Sequence, residues 1–483
     1  MSDPSYAGPL SPINGEVIPT DEAGATREIV DIYEKRVREA ALTKPAIRDF
    51  HSKGHGCVRA EFRVLDNLPA ELRIGLFASP GTYDAWIRYS NGNPTLQPDS
   101  KGDGRGMAIK LMNVADSLSG TQDFILINYP VFGVRNVVDY LALLRANPFW
   151  RFFVPDFNPF HHRVHEALIA YAILSTKVEN LLNSRYWSMT AYRFGESACK
   201  YSTRPIGPAS TFTDTFDLNF LRVNLAQHLA DRKAEFEFMV QLRNQPERMP
   251  IEDATVEWKE TAAPFVPVAR ITIPQQSFDA PEQMAFCENL SFTPWHCVDA
   301  HRPLGGLNRL RRVSYEVISR VRHELNHAPR KEPTGFEFDQ ADLGYALGDK
   351  NYAPIQVYRH LQSEAGQAFS RLSSRDALRT FPRPAIAAML LTCGVYAGKL
   401  LPIIEHALAQ PSRGLAPTTF TPPWGLDQGT FTGIVVFFVV LFAILIGGLF
   451  WAGYVAKPKS AAAASVVNHI ATLLAGIGLG LKT

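Results

Sequence analysis

Three short segments carry residue types that do chemistry at close quarters. The first is Arg48-Asp-Phe-His51-Ser-Lys-Gly54-His-Gly56. Here a histidine, the side chain that exchanges protons near neutral pH, stands beside a Gly-rich turn at the mouth of a strand and can face a cavity. The second is Trp86-Ile-Arg88-Tyr-Ser90-Asn, followed by Gly104-Arg-Gly-Met-Ala-Ile-Lys110; read alone it is a strand with an inward arginine. The third is Asp123-Phe-Ile-Leu-Ile-Asn128-Tyr-Pro-Val-Phe-Gly-Val-Arg135, where a lone asparagine closes an apolar strand just before a proline. Each taken singly reads more readily as structural than as catalytic. His55 and the His161-His162 pair read as satisfied core or surface histidines and receive no role.

The elements that must position these residues show in the periodicity. GCVRAEFRVL alternates apolar and polar side chains as a half-buried strand does, and DAWIRYSNG, GRGMAIKLMNV, ACKYSTRPI and VARITIPQQ read the same way. Helical spacing appears in residues 26–43, with Ile29, Ile32, Tyr33 and Val37 on one face, and in NVVDYLALLRAN. Residues 148–179 are rich in Phe, His and Pro and then helical, and residues 216–245 read as helix followed by strand. The fold class is therefore α+β with a large, mainly antiparallel sheet.

Composition narrows the function classes. The chain has 483 residues, 46% apolar and 20% charged, which excludes a disordered protein. Lys+Arg (49) nearly balances Asp+Glu (47), so nothing points to nucleic acid as a partner. Five cysteines without a C-x-x-C read as buried thiols in a reducing compartment. The first 20 residues hold four prolines and no secretory pattern, and are expected to form an extended arm.

The C-terminal part differs. Residues 431–455 carry no charge and are long enough to cross a bilayer. Residues 384–402 are a second, shorter candidate, either a span or a re-entrant or interfacial helix. Arg371, Arg375, Arg379 and Arg383 precede it, and Lys457 and Lys459 follow the longer one, while the 403–430 loop holds only Arg413. Under the positive-inside rule this is a hairpin with both ends in the cytoplasm, its arginine row meeting anionic lipid. The expected organisation is an arm and helix at 1–44, a main domain at 45–330, a linker and Arg-rich helix at 331–383, and a membrane-associated region at 384–483.

The order and wording of the three clusters resemble the haem catalases. His-x-Lys-Gly, Arg-x-Ser, Arg-Gly-x-Ala-x-Lys and Asn-x-Pro-Val-Phe come in that family's order and at similar spacing. Arg311-Arg-Val-Ser-Tyr315 then matches the family's Arg-x-x-x-Tyr, and Arg322 follows the Tyr by seven residues. Residues 255–276 also read like the strand that leads to that helix. The resemblance covers roughly 45–330 and implies an antiparallel β-barrel core with surrounding helices.

It also implies roles. Tyr315 would be the axial iron ligand of haem b, with Arg311 one turn away on the same helix face as counter-charge. His51 would accept and return the peroxide proton, Asn128 would orient the peroxide, and Ser90 would hold the second nitrogen of His51. Arg48, Arg88 and Arg322 would pair with the haem propionates.

The chain departs from long catalases in carrying Phe50 before the distal histidine and Gly133 after Phe132, and in ending its core near Asn326. Gly133 would open room for an organic hydroperoxide, or Phe50 would fill that space. It therefore resembles the short catalase-related proteins. The expected function is turnover of hydrogen peroxide or an organic hydroperoxide. The alternatives are a membrane-anchored isomerase or lyase of fatty-acid hydroperoxides, resembling allene oxide synthase, and a non-catalytic haem-binding module. A homo-oligomer is compatible with the family.

Overall fold

A computed structural model of the protein describes residues 12–42, 46–94, 96–156, 158–209 and 217–338. Among the described residues there are nine strands: β1 (Gly54–Val64), β2 (Thr82–Asn91), β3 (Arg105–Leu111), β4 (Gln122–Ile127), β5 (Tyr186–Trp187), β6 (Tyr192–Phe194), β7 (Ser197–Ile206), β8 (Ala234–Leu242) and β9 (Val266–Ile273). They pair antiparallel in the order β5-β4-β3-β2-β1-β9-β8-β7-β6, and β5 pairs with β7 as well. That extra pairing closes eight strands into a barrel and leaves β6 as an arm on β7. Closure removes the exposed edges that an open sheet must otherwise protect.

The period of two along each strand sorts side chains between barrel interior and exterior. Val58, Ala60 and Phe62 of β1, Ile87 and Tyr89 of β2, Met107 and Ile109 of β3, and Phe236 and Phe238 of β8 all join one buried cluster. Phe62, Phe124, Tyr201 and Phe238 reach it from four different strands, and Phe124 and Phe238 have ring centroids 4.6 Å apart. The other parity points outward, so Trp86, Arg88 and Ser90 lie on the barrel's outer face. This corrects the expectation of an inward Arg88. Ile87 and Tyr89 occupy the interior, and the guanidinium is buried instead beneath the covering helices.

Among the described residues six α-helices surround the barrel: α1 (Glu22–Ala40), α2 (Val137–Arg145), α3 (Val164–Ser175), α4 (Phe220–Asp231), α5 (Pro281–Asn289) and α6 (Gly306–Asn326). α1 begins four residues earlier than its periodicity predicts. Its Ala25, Ile29 and Tyr33 pack with Val137 and Leu141 of α2 and Leu310 of α6.

The described end of the N-terminal arm is tied to the main domain. Glu16 accepts from Arg302 and Arg309, and Glu22 accepts from Arg309, each within 2.6–2.9 Å. Glu252 completes the carboxylate set around the Arg309 guanidinium. These buried ion pairs join the arm to the first turn of α6.

The chain divides into two compact units. The second unit contributes only residues 154–156 and 158–162 to the described part, where His161 pairs with Asp156 at 2.7 Å. Both expected membrane spans, 384–402 and 431–455, and most of the 331–383 linker lie outside the described residues. Among the described residues no helix is long and apolar enough to cross a membrane.

Candidate active site

One cleft collects most of the residues singled out by their chemistry. Its floor is the outer face of β2–β4, with Arg88, Ser90, Gly106, Ala108 and Ile125; its opposite side is α6, with Ser314, Tyr315, Ile318 and Arg322. Residues 48–51 line one end, and Leu290, Ser291, Phe292 and Thr293, after α5, line another. The Gly-x-Ala-x-Lys spacing on β3 now has a geometric reason. Gly106, Ala108 and Lys110 share the outward parity, so two of the smallest side chains form the floor.

His51 is held from several directions. Its backbone sits in the left-handed region, φ +58°, which is strained for a residue with a β-carbon. The His51 amide donates to Gly92 O at 3.3 Å, and its carbonyl accepts from Arg88 Nη2 at 2.8 Å. The ring is fixed by Ser90, whose Oγ lies 3.0 Å from Nδ1. Gly106 makes this pairing possible. A β-carbon there would stand 2.7 Å from Ser90 Oγ and 2.8 Å from His51 Nδ1. Burial, with the charges of Arg88 and Arg311, pushes the His51 imidazole down to about 4. It is therefore neutral near pH 7, the state that can accept a proton.

Tyr315 faces the same cleft from α6. One turn earlier, Arg311 is buried; its Nη1 donates to Asn308 Oδ1 at 3.2 Å and Thr190 Oγ1 at 3.3 Å, and its guanidinium lies over the Phe132 ring at 5.6 Å. Phe132 thus packs against Arg311 and Tyr140. It is Phe50 that lines the cleft beside His51, set edge-on to Tyr33 at 5.6 Å. Gly133 is not among the lining residues, and a β-carbon there would meet nothing within 4 Å.

Asn128 and Arg311 are the predicted residues that are not in the cleft lining; Arg311 lies one turn behind Tyr315, and Asn128 is held elsewhere. It lies one residue past β4, where its Oδ1 accepts from the Arg105 amide at 2.6 Å and its own amide donates to Arg105 O at 3.0 Å. The side chain extends the β3–β4 ladder by one rung.

The three arginines expected to hold carboxylates do meet a carboxylate, and it belongs to this chain. Arg48 Nη1 and Arg322 Nη2 each lie 2.9 Å from Glu288, and Arg88 Nη2 lies 3.9 Å from it. Arg48 also donates to the carbonyls of Glu288 and Leu290, and Arg322 to that of Glu288. The Nε of Arg88 is buried with no hydrogen-bond partner among the described residues.

Tyr33, Glu288, Phe292 and His296 border this site without having been singled out in the sequence. Glu288 ends an ordinary helix, and no local spacing marks it. His296 belongs to a second buried cluster. Lys110 Nζ lies 2.8 Å from Asp123 and 3.2 Å from His296 Nδ1, and also contacts Glu332 at 2.5 Å. His55 is a buried core histidine, with its Nε2 2.7 Å from Asn91 Oδ1 and its Nδ1 3.8 Å from Asp99.

No protein-family model and no curated protein matches the chain. Among solved structures it is similar to a bacterial catalase, with 17% identity, a TM-score of 0.47 and coverage of 72% of both chains. It is similar to catalase A from Saccharomyces cerevisiae, with 17% identity and a TM-score of 0.49, covering 72% of this chain and 75% of that one. A fungal catalase gives 16% identity and a TM-score of 0.44, with 72% and 68% covered. At such identities the likeness concerns the fold alone.

Proposed function

We propose that this chain is a haem-dependent oxidoreductase that turns over hydrogen peroxide or an organic hydroperoxide. The observation that carries the reading is the cleft itself. It sets a neutral, serine-held histidine on the barrel side and a tyrosine on the helix side, with three arginines at its margin.

The residues present fit haem b on two counts. Arg48, Arg88 and Arg322 bring three positive charges around the carboxylate of Glu288, and the Arg88 Nε has no hydrogen-bond partner among the described residues. Buried charge of that sign calls for anionic groups, which two propionates supply. Tyr315 would hold the iron through its phenolate oxygen, with Arg311 as the nearest counter-charge on α6. When bound, haem would supply the redox chemistry that splits an O–O bond.

The protein's own contribution is proton handling and positioning. With Nδ1 of His51 committed to Ser90, Nε2 would take the peroxide proton and return it to the leaving oxygen. Phe50, Ile125 and Phe292 would keep the cleft apolar and exclude bulk water. Residues 384–402 and 431–455 would anchor the chain in a bilayer with the barrel on the cytoplasmic side, and carbonate extraction of membranes holding the full chain tests that part.

The primary test is the absorption spectrum of the detergent-purified full chain before and after cyanide. A high-spin ferric Soret band that shifts with cyanide is the expected result. Oxygen release from hydrogen peroxide then separates catalase-type turnover from loss of conjugated-diene absorbance with a fatty-acid hydroperoxide, the isomerase or lyase outcome. No Soret band after haem is added back would overturn the reading.

A further inference from the structure

Glu288 has no counterpart among the roles assigned above, yet it occupies the centre of the arginine cluster. It sits at the last turn of α5, with its carboxylate within 2.9 Å of both Arg48 and Arg322 and 3.9 Å from Arg88. Those arginines come from three separate elements: the segment before β1, β2 and α6. Without a shared anion, three guanidiniums gathered around one point would repel one another in a poorly solvated site.

Resting on the haem reading, we propose that Glu288 is the internal counter-anion of the propionate clamp. It holds the arginines together in the haem-free protein and competes with the propionates for them, so that it sets how tightly a dicarboxylate porphyrin is held. It is a positioning residue, acting through Arg48, Arg88 and Arg322.

The local charge supports this role. Three guanidiniums gather at one carboxylate of this chain, a clustering of positive charge that anionic propionates would meet. Burial alone would raise the Glu288 carboxyl, but Arg48, Arg322 and Arg88 outweigh that and hold it below the usual carboxylate range. The group thus remains an anion at working pH, and each arginine hydrogen bond it takes is one a propionate must share. Removing the group therefore corresponds to a change in affinity of about tenfold or more.

The test uses the full chain, freed of haem and titrated with haem and with haem dimethyl ester, following the Soret band. Glu288→Gln is expected to melt at a lower temperature than wild type when haem-free, and to bind haem about tenfold tighter. The diester, which lacks the propionate charges, is expected to bind both proteins equally. Equal or weaker haem binding by Glu288→Gln, or a gain that persists with the diester, overturns the inference while leaving the haem reading intact. If wild type takes up neither porphyrin, the haem reading fails and the inference fails with it. Should the glutamine variant not fold, Glu288→Asp keeps the charge but shortens its reach by one methylene. It is expected to bind haem tighter than wild type, and an affinity equal to or weaker than wild type overturns the inference.

Discussion

Ser90 Oγ and His51 Nδ1 lie 3.0 Å apart across 39 residues of chain. The contact exists because β1 pairs with β2 so that Gly54 stands opposite Ser90, and because β3 places Gly106 opposite Ser90 on its other side. A serine oriented toward a histidine ring selects which nitrogen faces the substrate.

This relationship makes the first prediction. Ser90→Ala should lower peroxide turnover per haem by about tenfold, the effect of losing one hydrogen bond to a group that becomes charged. Gly106→Ala should be more damaging, since its β-carbon would stand 2.8 Å from the ring nitrogen and displace the histidine itself. Steady-state turnover normalised to haem content measures both.

The two sides of the cleft should separate binding from chemistry. Tyr315→Phe removes the oxygen that would hold iron and is expected to lose or weaken haem uptake. His51→Ala is expected to keep a Soret band and to lose turnover by about 10²–10⁴-fold, the usual contribution of a positioned acid–base group. Normal turnover in the alanine variant would remove His51 from the mechanism.

Acid should act on both activity and stability, in the same direction. Burial holds His51, His55, His301 and His323 down to about 4, below the ordinary histidine value. Each is neutral in the folded chain while an unfolded histidine protonates near about pH 6.5. Their contribution to stability is complete above that pH and is lost as pH falls toward about 4. The thermal midpoint should therefore decline between those limits. Turnover limited by neutral His51 should persist through mild acid and fail near about 4. A profile that falls at pH 6.5 with the fold intact would place a different group in control.

The buried ion cluster behind the cleft carries a stability prediction. Lys110 is fully buried between Asp123 and Glu332, and these carboxylates offset its burial and hold it protonated. Lys110→Met leaves both carboxylates without their cation, and should cost about 3–5 kcal/mol in urea unfolding. Asp123 also accepts from the Thr293 amide at 2.9 Å, which ties the cluster to the loop lining the cleft. Haem affinity should fall in the same variant.

Much of the architecture was legible because it is local. Alternation in DAWIRYSNG and GRGMAIKLMNV places Arg88, Ser90, Gly106 and Ala108 on one parity, and a spacing of four puts Arg311 and Tyr315 on one helix face. Alternation does not say which parity is interior, and for that reason Arg88 read as inward. The barrel core took the parity of Ile87 and Tyr89 because helices could cover the other face. Asn128 read as a cleft residue from its place in a motif. The rung it makes with Arg105 depends on the register of β3 against β4, which no single strand reveals.

The amino-acid sequence by itself determined the strand and helix periods, the identity of His51, Ser90 and Tyr315 as chemical candidates, and the turn that allows a histidine to open a strand. These follow from the preferences of neighbouring residues. Tertiary structure alone decided that β5 closes the barrel onto β7, that Tyr33 of the first helix reaches the cleft, and that Glu288 gathers three arginines. Arg48 and Glu288 are 240 residues apart. Their meeting is a consequence of closing the sheet and laying α5 and α6 across its outer face, a global condition that no local spacing encodes.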